Sequence, residues 1–193
     1  MDPKYVWRPL GSESLLNTPY YEIRRDRLLR PDGREVDYYV VRNHRRAAGI
    51  IPVGEDGRIL LVQQWRHPVQ KLLWSIPAGA IELNEEPSQA AARELQEETG
   101  YQARQVLPLH QYHPSVGISN QTYYLFTTTG LTATCQYDPG EIHRIAWFTP
   151  PQIEQMIDET AIQDGLSLTA LLLYSRHCHN HRPNQHKDTT PMG

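Results

Sequence analysis

The spacing of apolar positions changes several times along this chain, and each change marks an element. Within Arg34–Asn43, Val36, Tyr38 and Val40 alternate with other residues and share one face of a strand. Tyr20–Leu28 is a second β-rich run, and the RPDG turn at 30–33 between them predicts an N-terminal hairpin. Ala47–Val53 and Arg58–Arg66 are more continuously apolar, as mostly buried strands are, and Glu55–Asp56–Gly57 between them predicts a second hairpin. Further strands are predicted over Val106–Tyr112, Gln121–Thr129 and Ile142–Phe148.

The helical signals are as distinct. Pro87–Thr99 opens with a proline suited to the first helical position, carries Ala90, Ala91, Ala92 and Leu95, and stops at Gly100. Two more helices are predicted near Pro151–Glu159 and Leu166–Arg176. Many strands with a few interspersed helices predict an α/β fold, a sandwich of helices on mixed sheets with an added N-terminal hairpin. The chain divides accordingly into an N-terminal strand element over 1–45, a main domain over 46–176, and a tail over 177–193. That tail, HCHNHRPNQHKDTTPMG, loses all apolar periodicity and is expected to be disordered. Its His177, Cys178, His179 and His181 are potential Zn²⁺ or Ni²⁺ ligands, but with no partner cluster elsewhere they are assigned no function.

Composition narrows the field. At 193 residues the chain suits one domain, and its net charge of −3 without a long basic stripe gives no reason to expect nucleic acid as the main partner. The start, MDPKYVWRPL, has no apolar leader pattern, and the longest apolar run, near Leu166–Tyr174, is too short to cross a bilayer. Two cysteines, Cys135 and Cys178, fit free thiols in a reducing compartment. A cytoplasmic protein without a membrane partner is expected.

One feature resists a purely structural reading. Glu94, Glu97 and Glu98 lie three and four residues apart near the end of the Pro87–Thr99 helix, so their carboxylates share one face. Like charges so placed repel by about 0.2–0.5 kcal/mol per pair and oppose the helix dipole by roughly 0.3–1 kcal/mol more. Folding alone does not select this arrangement. Arg93 is four residues before Glu97, and Glu85, eight before Arg93, is placed to grip the guanidinium from the other side. Carboxylate oxygens held this way suit a hard divalent cation such as Mg²⁺, which retains waters and substrate phosphates in its sphere.

From Gly79 onward, GAIELNEEPSQAAARELQEETGY fits G-x5-E-x7-R-E-U-x-E-E-x-G-U at every specified position, U being apolar or aromatic: Gly79, Glu85, Arg93, Glu94, Leu95, Glu97, Glu98, Gly100 and Tyr101. At roughly 6% background per fixed residue, chance would produce this on the order of once in a million such chains. The chain resembles the Nudix hydrolases. That resemblance implies an α/β/α sandwich and cleavage of nucleoside diphosphates linked to another group. It further implies two or three Mg²⁺ ions, or Mn²⁺, on Glu94, Glu97, Glu98 and the Ala78 carbonyl, with Arg93 and Glu85 in support and Gly79 and Gly100 in the loops.

Outside this box, QQWRHPV (63–69), WSIPAGAIE (74–82), HPSVGISNQ (113–121) and IQDGLSLTALLLY (162–174) are similar to the ADP-ribose pyrophosphatase and nucleoside-diphosphate-sugar branch. The branch implies that Arg66 contacts the diphosphate or terminal ribose, that Tyr20 and Tyr38 hold the adenine across a homodimer interface, and that Glu141 is the general base with Glu97 as fallback. Three positions depart from the branch: Ser75 and Gln121 stand where glutamate is usual, and Val116 where proline is usual. All three lie on the substrate side, so hydrolysis is better supported than ADP-ribose over other ADP- or GDP-sugars. A domain that senses ADP-ribose without cleaving it is the contrasting reading, but such domains tend to lose box carboxylates and this chain keeps them.

Overall fold

A computed structural model of the protein describes residues 5–134, 137 and 140–180. Near the N-terminus, β1 (Arg8–Asn17), β2 (Tyr21–Leu29) and β3 (Glu35–Asn43) form an antiparallel sheet in that order. The expected hairpin is β2–β3; β1 is an addition to it. Its sequence, RPLGSESLLN, has no clean alternation, because nine of its ten positions face solvent; ladder pairing with β2 holds it, with exposed side-chain bonds such as Arg25 to Glu13. The sheet joins the rest chiefly through the loop after β8: Val41 N–H donates to Ile118 O at 2.7 Å and Asn43 N–H to Asn120 Oδ1 at 2.7 Å.

The chain then runs through β4 (Ala47–Ile51), β5 (Ile59–Arg66), β6 (Lys71–Ser75), β7 (Ala78–Ala80), α1 (Pro87–Thr99), β8 (Tyr101–Tyr112), β9 (Tyr123–Ala133), β10 (Ile142–Phe148), α2 (Pro150–Asp158) and α3 (Gly165–Asn180). The second expected hairpin does not form. A turn is present, with Gly54 N–H donating to Arg58 O and one bridge between Val53 and Ile59, but the two strands then part into different sheets. β4 lies inside a four-stranded sheet of order β7-β4-β9-β8, parallel to β9, while β5 is the centre of a three-stranded sheet of order β10-β5-β6. Both strands are apolar nearly throughout because each is central in its own sheet.

Strand alternation distributes β4 between two cores. Ala48 and Ile50 face α1 with Ala90, Ala91, Leu95 and Phe126, whereas Ile51 joins Leu61, Leu125, Ile153 and Leu171 beneath α2 and α3. Helices therefore cover the sheets on two sides, which is the expected α/β/α sandwich. Ile50 and Ile51 are fully buried, each contributing roughly 1.5–3 kcal/mol.

One correction follows at the C-terminus. α3 continues to Asn180, so His177, Cys178 and His179 are helical where a structureless tail was expected to begin. Cys178 is a free thiol. His181 and the rest of the 181–193 segment, Cys135, and the Asp138–Pro139 part of the loop carrying Glu141 lie outside the described residues. Among the described residues no helix is long and apolar enough to cross a membrane.

Candidate active site

α1 carries the site, and its helical stripe explains the burial of the acids. Ala91, Leu95 and Glu98 recur at spacings of four and three on the buried face, so Glu98 points inward where an apolar residue would ordinarily sit. Only 6% of Glu98 is exposed. The helix ends where Gly100 takes φ +73°, a conformation that costs glycine little, and donates its N–H to Gln96 O at 2.8 Å.

Glu98 is held by neutral donors. Gln64 Nε2 donates to its Oε1 at 2.6 Å and the Ala78 N–H to its Oε2 at 3.2 Å. Among the described residues no Lys, Arg or His nitrogen pairs with it; Arg66 acts on it only at longer range. Burial pushes the Glu98 carboxyl up to about 8, only partly offset by the Gln64 bond, with the charge of Glu94 adding to the rise.

Arg93 organises the other acids. Its Nε and Nη2 donate to the two oxygens of Glu85 at 2.9 and 3.2 Å, its Nη1 to Glu94 at 2.7 Å and to Glu97 at 2.9 Å, and its Nη2 also to the Ala80 carbonyl at 2.9 Å. The bidentate grip holds the Glu85 carboxyl below its ordinary range, while its hydrogen bonds to Glu85, Glu94 and Glu97 raise Arg93 still further. Glu94 is half-buried, and burial lifts its carboxyl despite Arg93. Its carboxylate lies directly over Gly79, so a Cβ added there would have to displace the Glu94 carboxylate from its place beside Arg93.

These side chains open on one cleft of about 570 Å³, lined by Ala78, Gly79, Glu94, Glu97, Glu98 and Arg66 together with Gln64, Trp65, Gly140 and Glu141. The structure thus brings Glu141, from the loop before β10, to the box glutamates, close enough for its charge to act on Glu94. Arg66, at the end of β5, faces the acids without an ion pair among the described residues. As the side chains stand, no three His, Cys, Asp or Glu residues among those described enclose a point for an ion. Arg93 holds Glu94 and Glu97, and Gln64 with Ala78 holds Glu98.

Tyr20 and Tyr38 are elsewhere. Tyr20, 78% exposed, sits in the β1–β2 turn, and Tyr38 is cross-strand from Asp26, six residues further along β2. At about 3.3 Å per residue the two are roughly 20 Å apart, so within one chain they do not flank a common base. The Tyr38 hydroxyl instead donates to the Gly117 carbonyl and its ring meets Trp7 edge-on. Of the three departures, Ser75 is buried with its hydroxyl unpartnered among the described residues, Gln121 has a buried Oε1 likewise unpartnered among them, and Val116 is exposed. A larger cavity of about 1200 Å³ lies between the N-terminal sheet and the loop before α1, lined by Arg42, Arg45, Arg46 and Glu82 among others. Glu94, Glu97 and Glu98 do not line it, so the chemistry belongs to the smaller cleft.

Gln64 and Trp65 escape a reading of the sequence motif. The signal for Gln64 was available: it is a polar residue inside RILLVQQWR, two positions before Arg66 and therefore on the same strand face.

Known proteins place this geometry in context. Residues 43–169 match the NUDIX domain model, and residues 7–41 match the nucleoside diphosphate sugar hydrolase N-terminal domain, which spans all of β1 and β2 and most of β3. The ADP-ribose pyrophosphatase of Bacillus subtilis is 28% identical over 144 residues, covering 73% of this chain and 77% of that protein. The ADP-ribose pyrophosphatase of Mycobacterium tuberculosis is 35% identical over 129 residues, covering 66% and 62%. A methanol dehydrogenase activator from Bacillus methanolicus is 28% identical over 167 residues, covering 85% and 90%. In fold, the crystal structure of an ADP compounds hydrolase superposes with a TM-score of 0.81 at 17% identity, covering 90% of this chain and 95% of that one. The family match takes in well over half of the sequence and the whole cleft, and this protein therefore belongs to the NUDIX domain family as an ADP-ribose-pyrophosphatase-like hydrolase.

Proposed function

We propose that the protein hydrolyses the diphosphate bond of ADP-ribose or a related nucleoside diphosphate sugar, releasing AMP, or the corresponding nucleoside monophosphate, and a sugar phosphate. The observation that carries this reading is the Glu98 carboxylate, buried, among the described residues, without a cationic partner in a polar cleft that also holds Arg66, which makes no ion pair among those residues. A buried carboxylate is costly unless a cation compensates it, and an all-oxygen donor set suits Mg²⁺ or Mn²⁺. Glu94, Glu97, Glu98 and the Ala78 carbonyl would hold two or three such ions. When bound, they would supply charge neutralisation for the diphosphate and a lowered pKa for the attacking water.

The chain's own groups do the rest. Arg66 binds the diphosphate through its planar fork of donors. Glu141 accepts the proton of the attacking water as its oxygen joins phosphorus and the bridging oxygen leaves with the other product; Glu97 is the alternative base. Arg93 and Glu85 keep the acids on station. The exposed Trp7, Leu15, Leu16, Tyr20 and Tyr39 of the N-terminal region support a homodimer in which Tyr20 and Tyr38 of different subunits approach one base.

The test is a panel of ADP-ribose, ADP-sugars and GDP-sugars incubated with Mg²⁺ and assayed for nucleoside monophosphate. Release of AMP or GMP with a sugar phosphate is expected. Tight binding of ADP-ribose with no cleavage of any member would overturn the reading in favour of a sensing domain. Sedimentation showing a monomer at micromolar concentration would remove the paired-tyrosine proposal.

A further inference from the structure

We infer that Gln64 is a positioning residue for Glu98, fixing the orientation in which that carboxylate meets a divalent ion. The inference rests on the proposed role of Glu98 as a metal ligand and deepens it. Gln64 lies on β5, the central strand of its sheet, opposite Ile142 of β10 on one side and Leu73 of β6 on the other. Its backbone is thus held from both edges, and its side chain is almost wholly buried. The 2.6 Å bond from its Nε2 reaches Glu98 Oε1 from the three-stranded sheet, while the Ala78 N–H reaches Oε2 from the four-stranded sheet. Two sheets and one helix therefore meet on a single carboxylate. Each oxygen gives one lone pair to a fixed donor and keeps the other for the cleft.

The choice of residue type fits that task. A lysine or arginine at 64 would neutralise Glu98 and compete with an incoming ion; an apolar residue would leave Oε1 without a donor and the carboxylate held only by the longer Ala78 bond. A neutral carboxamide orients the charge without cancelling it. Arg66, two residues on along the same strand face, lines the same cleft, so β5 carries both the group that orients a metal ligand and the group that meets the diphosphate.

The experiment is Mn²⁺ binding to the substrate-free protein, read from the free-ion electron paramagnetic resonance signal, for wild type, Gln64→Met, Gln64→Asn and Glu98→Gln. Loss of an orienting partner typically weakens metal binding by about 10–100-fold, and that is expected for Gln64→Met, which keeps the length and removes the donor. At saturating Mn²⁺ the substrate KM of Gln64→Met should remain that of wild type. Gln64→Asn retains the amide but draws it back by one carbon; it should also weaken binding and serves as the test if Gln64→Met does not fold. Wild-type Mn²⁺ affinity in the Gln64 variants alongside lost binding in Glu98→Gln overturns the positioning role. Undiminished binding in Glu98→Gln overturns the ligand assignment beneath it, a distinguishable result.

Discussion

Two networks of arginine and carboxylate occur in this molecule, and they use the same side chains to different ends. On the N-terminal sheet, Arg25 pairs with Glu13 at 2.5 Å and Arg34 with Asp32 at 2.6 Å, with side chains between 40% and 69% exposed. In the cleft, Arg93 joins Glu85, Glu94 and Glu97 while its own side chain is only 29% exposed. Water and salt screen the first set, so such pairs contribute little to stability. The second set is partly withdrawn from water, concentrates three acids on one cation, and leaves a fourth acid, Glu98, without any among the described residues. Distance alone does not separate a surface ion pair from a site; burial and the excess of one charge do.

The largest expected effect breaks the excess itself. Glu98→Gln should lower turnover by about 10²–10³-fold, the scale seen when one preorganised electrostatic group is removed from an active site. The variant should fold as wild type does, and the rise in melting temperature on adding Mg²⁺ should vanish; near-normal turnover would remove Glu98 from the chemistry. Next, Arg93→Met strips the hub from three acids. It should destabilise the protein by roughly 1–3 kcal/mol in urea denaturation, the cost of leaving the partly buried Glu85 and Glu94 carboxylates without their donor. A change within the range of ordinary surface substitutions would erase the distinction between the two networks.

How far these features could be read in advance depends on whether the information is local. α1 was legible from end to end because Pro87, the alanines and Gly100 are local signals for start, interior and stop. The motif placed Arg93 with Glu85, and the geometry follows. The inward aim of Glu98 was legible too, since Ala91, Leu95 and Glu98 form one helical stripe, but the repetition of acids draws attention to charge before position. β1 was not legible, because a strand exposed on both faces carries no alternation. The parting of β4 and β5 was hidden by a turn that suits a hairpin: pairing with β9 and β10 is decided by residues far away in sequence, and apolar strands do not name their neighbours. Gln64 is a case between these, a polar residue in a buried strand whose partner, Glu98, is 34 residues away.

A smaller effect sharpens the comparison through pH. Arg93 holds the Glu85 carboxyl below its ordinary value, so the folded protein binds that proton less tightly than the unfolded chain does. The stability this supplies is present above the ordinary carboxylate range and is lost as pH falls through the lowered value. Wild type should therefore be more stable than Glu85→Gln at neutral pH, and the two should converge in acid. Melting temperatures of the pair across pH 7 to 3, without metal, give the difference curve; a gap that stays constant in acid would show that the Glu85 charge contributes nothing.

The smallest expected effects fall in the N-terminal sheet. Tyr38→Phe removes one hydroxyl bond to the Gly117 carbonyl and should cost about 0.5–1.5 kcal/mol, since it deletes a tie between the sheet and the loop after β8. Arg25→Ala should leave stability almost unchanged, as loss of a solvent-screened exposed pair does. This last value discriminates most finely, because the Arg25 face is open in a lone chain. If the sheet pairs with a second copy through that face, Arg25–Glu13 leaves water, and its loss should then cost more and do so in proportion to the dimer present. Stability of Arg25→Ala measured against protein concentration separates the cases: a small, concentration-independent change keeps the pair a solvated one and directs any dimer to the apolar residues Trp7, Leu15 and Leu16.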